Sequence, residues 1–107
     1  LYEKVINNYM KKKKLFYVVG AGAMLPMLNF HLNGIINKAD GILDDDEGKI
    51  GKYFLNINTK ILRLKNFNLK NSFCLIGCIA SAKSTRKIIS ILNEKKTEII
   101  LTPTLTF

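Results

Sequence analysis

The sequence predicts an α/β domain, a small three-layer fold around a mostly parallel sheet of four to five strands with Rossmann-like connections. Three observations predict it. First, Leu15-Phe-Tyr-Val-Val-Gly-Ala-Gly-Ala23 runs from a continuous apolar segment straight into small residues, and an amphipathic helical pattern follows. Second, a further strand-like run, Ala39-Asp-Gly-Ile-Leu43, comes about twenty residues later and ends in Asp44-Asp-Asp-Glu47. Third, apolar runs alternate with helical patterns to the end of the chain, which is how parallel strands joined by right-handed crossovers are written.

Each element has its own signal. Residues 1–13 carry Tyr2, Val5, Ile6, Tyr9 and Met10 at three- and four-residue steps, the stripe of a helix. The run Lys11-Lys-Lys-Lys14 closes it, where positive charge suits the negative pole of the helix dipole. Residues 16–19 are short, continuous and apolar, as a parallel strand covered on both faces must be. Residues 23–32 form a crossover helix. Pro26 lacks an amide hydrogen and fits only the first turn, which places the helix start at residues 23–25. Asn33-Gly34 supplies its stop. Residues 38–43 are the second strand, 44–52 a polar loop with two glycines, 59–64 a short extended piece, and 66–71 a polar connector. Residues 73–80 form the most apolar strand and belong near the middle of the sheet. A helix over 84–92 follows, with Ser84 as its cap and Ile88, Ile89, Ile91 and Leu92 on its buried side. Residues 98–101 are the last strand, ended by Pro103. The expected spatial order is second, first, third, fourth strand, with a switch in winding direction between the first and third.

Bulk properties bound the function. A chain of 107 residues forms one core. Residues 1–14 read as a helical link from an upstream domain, because the chain opens on Leu1 without methionine, and residues 15–107 read as the folded domain. No apolar run reaches the ~18–20 residues that span a bilayer, so no membrane partner is expected. The formal charge of +9 raises the question of nucleic acid, but only two of seventeen basic residues are arginine, and phosphate-clamping surfaces lean on arginine. Nucleic acid is therefore disfavoured. Cys74 and Cys78 fall on one face of a strand about 13 Å apart, too far to bridge. The single histidine, His31, completes no zinc spacing with them, and reads as a helix-surface residue. Buried free thiols point to a reducing, cytoplasmic setting.

The candidate site lies where the chain winding reverses. Glycines at Gly20 and Gly22 let bare backbone amides, including those of Ala21 and Ala23, approach a phosphate at a helix N-terminus. Asp44, at the tip of the second strand, is placed to take ribose or sugar hydroxyls. Lys49 and Lys52 flank Gly51 in the following loop and would offset a diphosphate. Ser81, in the loop Ile79-Ala-Ser-Ala-Lys-Ser84, faces the glycine turn from the next strand. No third glycine follows in the dinucleotide spacing, since Leu25 stands there. No acid/base pair, nucleophile or metal cluster is visible, so no catalytic or metal residue is assigned.

These residues carry a resemblance. Val18-Val-Gly-Ala-Gly-Ala23, Asp44 at a strand end, Lys49-Ile-Gly-Lys-Tyr53 and the extended Lys60-Ile61 resemble the C-terminal domain of bacterial sugar C-methyltransferases over about residues 15–102. Met24 stands where that family usually has lysine. The resemblance implies a Rossmann-like lobe that holds a nucleotide-linked sugar beside a separate, upstream domain carrying S-adenosylmethionine, the residues present here being non-catalytic alone. The same pattern also resembles nucleotide-sugar lobes of other sugar-modifying enzymes. Two alternatives stay open: an NAD(P)-binding lobe, and an empty Rossmann-like domain used for docking or homodimerisation.

Overall fold

The computed structural model describes residues 2–12, 14–22, 25–53, 57, 59–65, 67–78 and 82–101. Helix α1 (Tyr2–Lys11) leads into strand β1 (Leu15–Ala21) and helix α2 (Leu25–His31). A 3-10 turn (Ile35–Lys38) precedes β2 (Gly41–Asp44), β3 (Ile61–Arg63) and β4 (Ser72–Cys78). Helix α3 (Ala82–Glu94) and β5 (Glu98–Leu101) complete the order. All neighbouring strands are parallel, in the spatial order β3-β2-β1-β4-β5. This is the α/β three-layer class that the sequence predicts, with the short extended piece joining the sheet as its outer strand beside β2.

Alternation along the strands sorts the core into two halves. Phe16 and Val18 of β1, Ile42 of β2 and Phe73 and Leu75 of β4 turn toward α1 and α2, where Ile6, Leu25, Leu28 and Leu32 meet them. Tyr17, Val19, Leu43, Cys74 and Ile76 turn the other way, toward Leu92 and the half-buried Ile88, Ile89 and Ile91 of α3. Phe73 stacks on both Phe16, at 4.9 Å, and Tyr9, at 4.8 Å, which ties α1 to the sheet centre. A side chain at Gly41 would meet the Tyr17 ring at 3.2 Å, so that ring packs directly over the backbone of β2.

Several boundaries differ from expectation for local reasons. Strand β1 continues through Gly20 to Ala21, because Ala21 still pairs with Cys78. Strand β2 starts at Gly41 rather than residue 38. Residues 35–38 wind into the 3-10 turn, and the Asp40 carboxylate takes the Phe16 amide at 2.8 Å. Helix α3 begins at Ala82, so Ser84 sits inside the first turn and is not its cap. The proposed stop by Pro103 lies outside the described residues.

Helix ends follow one device. At α2 the Gly34 amide donates to the Asn29 carbonyl at 2.8 Å and the Asn33 amide to Phe30 at 3.1 Å, with Asn33 left-handed at φ 55°. This is a Schellman motif, and it confirms the stop expected at Asn33-Gly34. Helix α3 ends the same way on Lys96, at φ 56°, with Thr97 donating to Leu92 and Lys96 to Asn93. The Thr97 hydroxyl then lies buried between Ser72 and Cys74.

Candidate functional site

The switch in strand order falls between β1 and β4, and the carboxyl edge of those strands is where open α/β sheets hold ligands. Gly20 has φ 102°, a conformation that a side chain rarely adopts, and it turns the end of β1 out of a regular ladder. The next amide, that of Ala21, donates to Asp44 Oδ2 at 2.8 Å. The Gly22 carbonyl accepts the Leu25 amide at 3.0 Å and so opens α2. The structure thus brings Gly20, Ala21, Gly22 and Asp44 together across the tips of β1 and β2.

That contact corrects one expectation. The sequence points to the Ala21 amide as a donor to phosphate, whereas in the structure that amide donates to Asp44. Asp44 also accepts the Asp46 amide on Oδ1 at 2.9 Å, so its carboxylate first organises the protein's own turn. A carboxylate offers about four acceptor positions, and the described residues use two of them here. Asp44 is half-buried, so solvent still reaches its carboxylate.

The acidic run is a clasp. Asp44 accepts Leu64 on its backbone carbonyl at 3.1 Å, and the Lys65 amide reaches Asp45 Oδ1 at 2.9 Å. Both Arg63 Nη atoms grip Glu47, Nη2 to Oε2 at 2.7 Å. The pairing holds the Glu47 carboxyl below its usual range, through the hydrogen bonds first and then the guanidinium charge. Asp46 accepts the Gly48 amide at 3.0 Å and stands 3.8 Å from Lys49 Nζ. Asp45, Asp46 and Glu47 are exposed, yet each fastens residues 44–49 to itself or to the end of β3.

The two loop lysines separate. Lys49 stays near the carboxyl edge beside Asp46. Lys52 does not: its carbonyl accepts the Ile61 amide at 3.0 Å, beside the first residue of β3. Ile61 pairs with Ile42, two residues below Asp44, so the backbone of Lys52 lies roughly 7 Å down the sheet from the expected edge. Ala23 and Ser81 lie outside the described residues.

Other candidates resolve simply. His31 is exposed, edge-on to Phe30 at 5.8 Å. Cys74 is fully buried, and burial pushes its thiol up to about 11 against a small opposing effect of Thr97, which makes it an inert core group. No group of three His, Cys, Asp or Glu suited to a metal ion occurs among the described residues. A cleft of about 380 Å³ runs along α2, lined by Pro26, Asn29, Phe30, Asn33, Gly34 and Ile57. Sequence reasoning passed over it, although Met27 and Phe30 share a helix face with no partner in the pattern, and Phe30 is 80% exposed.

No protein-family model, curated protein or solved structure matches this chain.

Proposed function

We propose that the chain is the nucleotide-sugar-binding lobe of a sugar-modifying transferase, with a methyltransferase as the parent enzyme. In this reading the diphosphate lies over the carboxyl edge of β1, against the backbone of Gly20 and Gly22, while the Ala21 amide stays on Asp44. Asp44 holds the turn through Ala21 and offers its remaining acceptor positions to a sugar or ribose hydroxyl. Lys49 offsets phosphate charge from the adjoining loop. The observation that carries the reading is the junction of the Gly20 turn with Asp44 at the tips of adjacent parallel strands, next to the switch point. The chemistry of S-adenosylmethionine belongs to a separate domain of the parent, and no step of it is assigned to these residues.

A second reading is favoured by the Asp44 contacts themselves. If the turn and the acidic loop exist only to satisfy one another, the lobe is a docking scaffold with no small ligand. Calorimetric titration of the chain with uridine and thymidine diphosphates decides between them. Saturable binding that Asp44→Asn weakens by about tenfold, roughly the value of one charged hydrogen bond, supports the nucleotide lobe. Heats indistinguishable from dilution leave the scaffold. Binding of NADH in preference to both diphosphates moves the assignment to a nicotinamide lobe.

A further inference from the structure

The amino edge of the sheet carries a row of lysines that the nucleotide reading does not use. Each strand is preceded by one: Lys60 before β3, Lys38 before β2, Lys14 before β1, Lys70 before β4 and Lys96 before β5. In the spatial order β3-β2-β1-β4-β5 they stand in sequence along the edge. With parallel strands about 4.8 Å apart, the row crosses roughly 19 Å. Lys14 is bound to Glu98 at 2.8 Å. Lys60, Lys38, Lys70 and Lys96 are exposed, and no described residue forms an ion pair with them. The acids nearby are Asp40, whose carboxylate holds the Phe16 amide, Glu98, and the exposed Glu94. Leu15, first residue of the central strand β1, is 44% exposed in the middle of the row.

We propose that this edge docks the chain on an anionic lipid surface, with the lysines facing the headgroups and Leu15 reaching toward the acyl boundary. Lysine is a compact, strongly hydrated point charge suited to a diffuse negative surface, whereas forked recognition of nucleic-acid phosphates selects arginine. Both arginines are elsewhere, Arg63 gripping Glu47 at the opposite end of β3 and Arg86 on the exposed side of α3. An exposed leucine adds nothing to phosphate-backbone binding but does add to contact with lipid. A second copy of the chain is a poor occupant, because the acidic loop that could face the row is already paired within its own molecule and the net charge is +9. Docking at the amino edge would leave the carboxyl edge open toward solvent. Such contact needs no spanning helix, and among the described residues no helix is long and apolar enough to cross a membrane.

Sedimentation of the 107-residue chain with phosphatidylcholine vesicles, with and without phosphatidylglycerol, tests this. The expected result is binding to the mixed vesicles only, reversed by salt. The variant Lys38→Gln/Lys70→Gln/Lys96→Gln should partition about 100-fold more weakly, at the usual contribution per lysine. A control with the same charge loss on α3, Lys83→Gln/Arg86→Gln/Lys87→Gln, should bind within a few-fold of the parent chain, and circular dichroism confirms that both fold. Equal loss in the two variants overturns the proposal, since net charge alone would then explain binding. So does absence of binding to the mixed vesicles, or their displacement by a single-stranded oligonucleotide at matching phosphate concentration.

Discussion

At the residue scale, Asp44 ties the tips of β1 and β2 together. Its two oxygens accept the Ala21 and Asp46 amides, the first part-buried and the second exposed, and a bond to a charged acceptor is worth about 1.5–3 kcal/mol, least where water can replace it. Asp44→Ala should therefore lower unfolding stability by about 2–3 kcal/mol, read as a reduced urea midpoint at unchanged slope, while Asp44→Asn loses less. An unchanged midpoint would show that water replaces the carboxylate at no cost. Lys96 gives the opposite prediction. It sits left-handed at the end of α3, where a side chain is strained and glycine is not. Lys96→Gly should raise stability by about 0.5–1 kcal/mol, after allowing for the greater freedom glycine gives the unfolded chain. The same thermal or urea measurement checks it. Neither residue announces its role by type. Asp44 was legible as an important carboxylate because it ends an apolar run, but nothing in sequence says that its first partner is the neighbouring strand's amide.

At the element scale, periodicity carried the reading furthest where burial is one-sided or complete. Strands β1 and β4, covered on both faces, are continuous apolar runs, and α1 shows its stripe through Ile6 and Tyr9. Helix α1 is fixed by that stripe: Ile6 is fully buried, and Tyr9 stacks on Phe73 while Lys14 reaches Glu98 of β5. Ile6→Ala should cost about 2–4 kcal/mol by leaving a cavity under the helix, measurable as a lower midpoint with loss of amide protection concentrated in α1. Boundaries were less legible, because they depend on contacts between distant residues. Asp40 ends the 3-10 segment's influence on β2 only by meeting Phe16, twenty-four positions earlier. Lys52 leaves the carboxyl edge because Ile61 draws the loop back along β3, and three residues of strand give little periodic signal beforehand.

At the scale of the whole molecule, parallel winding sorts charge as well as apolar surface. Lysines gather where strands begin, and the acidic clasp sits where β2 ends. Two surface carboxylates are held below the ordinary glutamate value of 4.5: Glu47 by Arg63, and Glu98 by hydrogen bonds from Lys14 and then Tyr9. A depressed folded value means that the stabilisation is present above the unfolded value and is lost as pH falls through the folded one. The thermal midpoint should therefore hold steady from neutrality to about pH 4.5 and decline below it, more steeply in the parent chain than in Glu47→Gln/Glu98→Gln. A midpoint that rises on acidification would reverse the sign assigned to these pairs. The fold places one glycine turn and one aspartate beside the point where winding changes direction, and the proposed function stands on that placement. Backbone amide NMR during titration with uridine diphosphate examines it residue by residue. Shifts that saturate at Gly20, Gly22 and Asp44, with Leu15 and Ser72 at the amino edge unmoved, are expected. Shifts confined to the amino edge or to the α2 cleft, or none anywhere, would mean that the carboxyl edge holds no nucleotide.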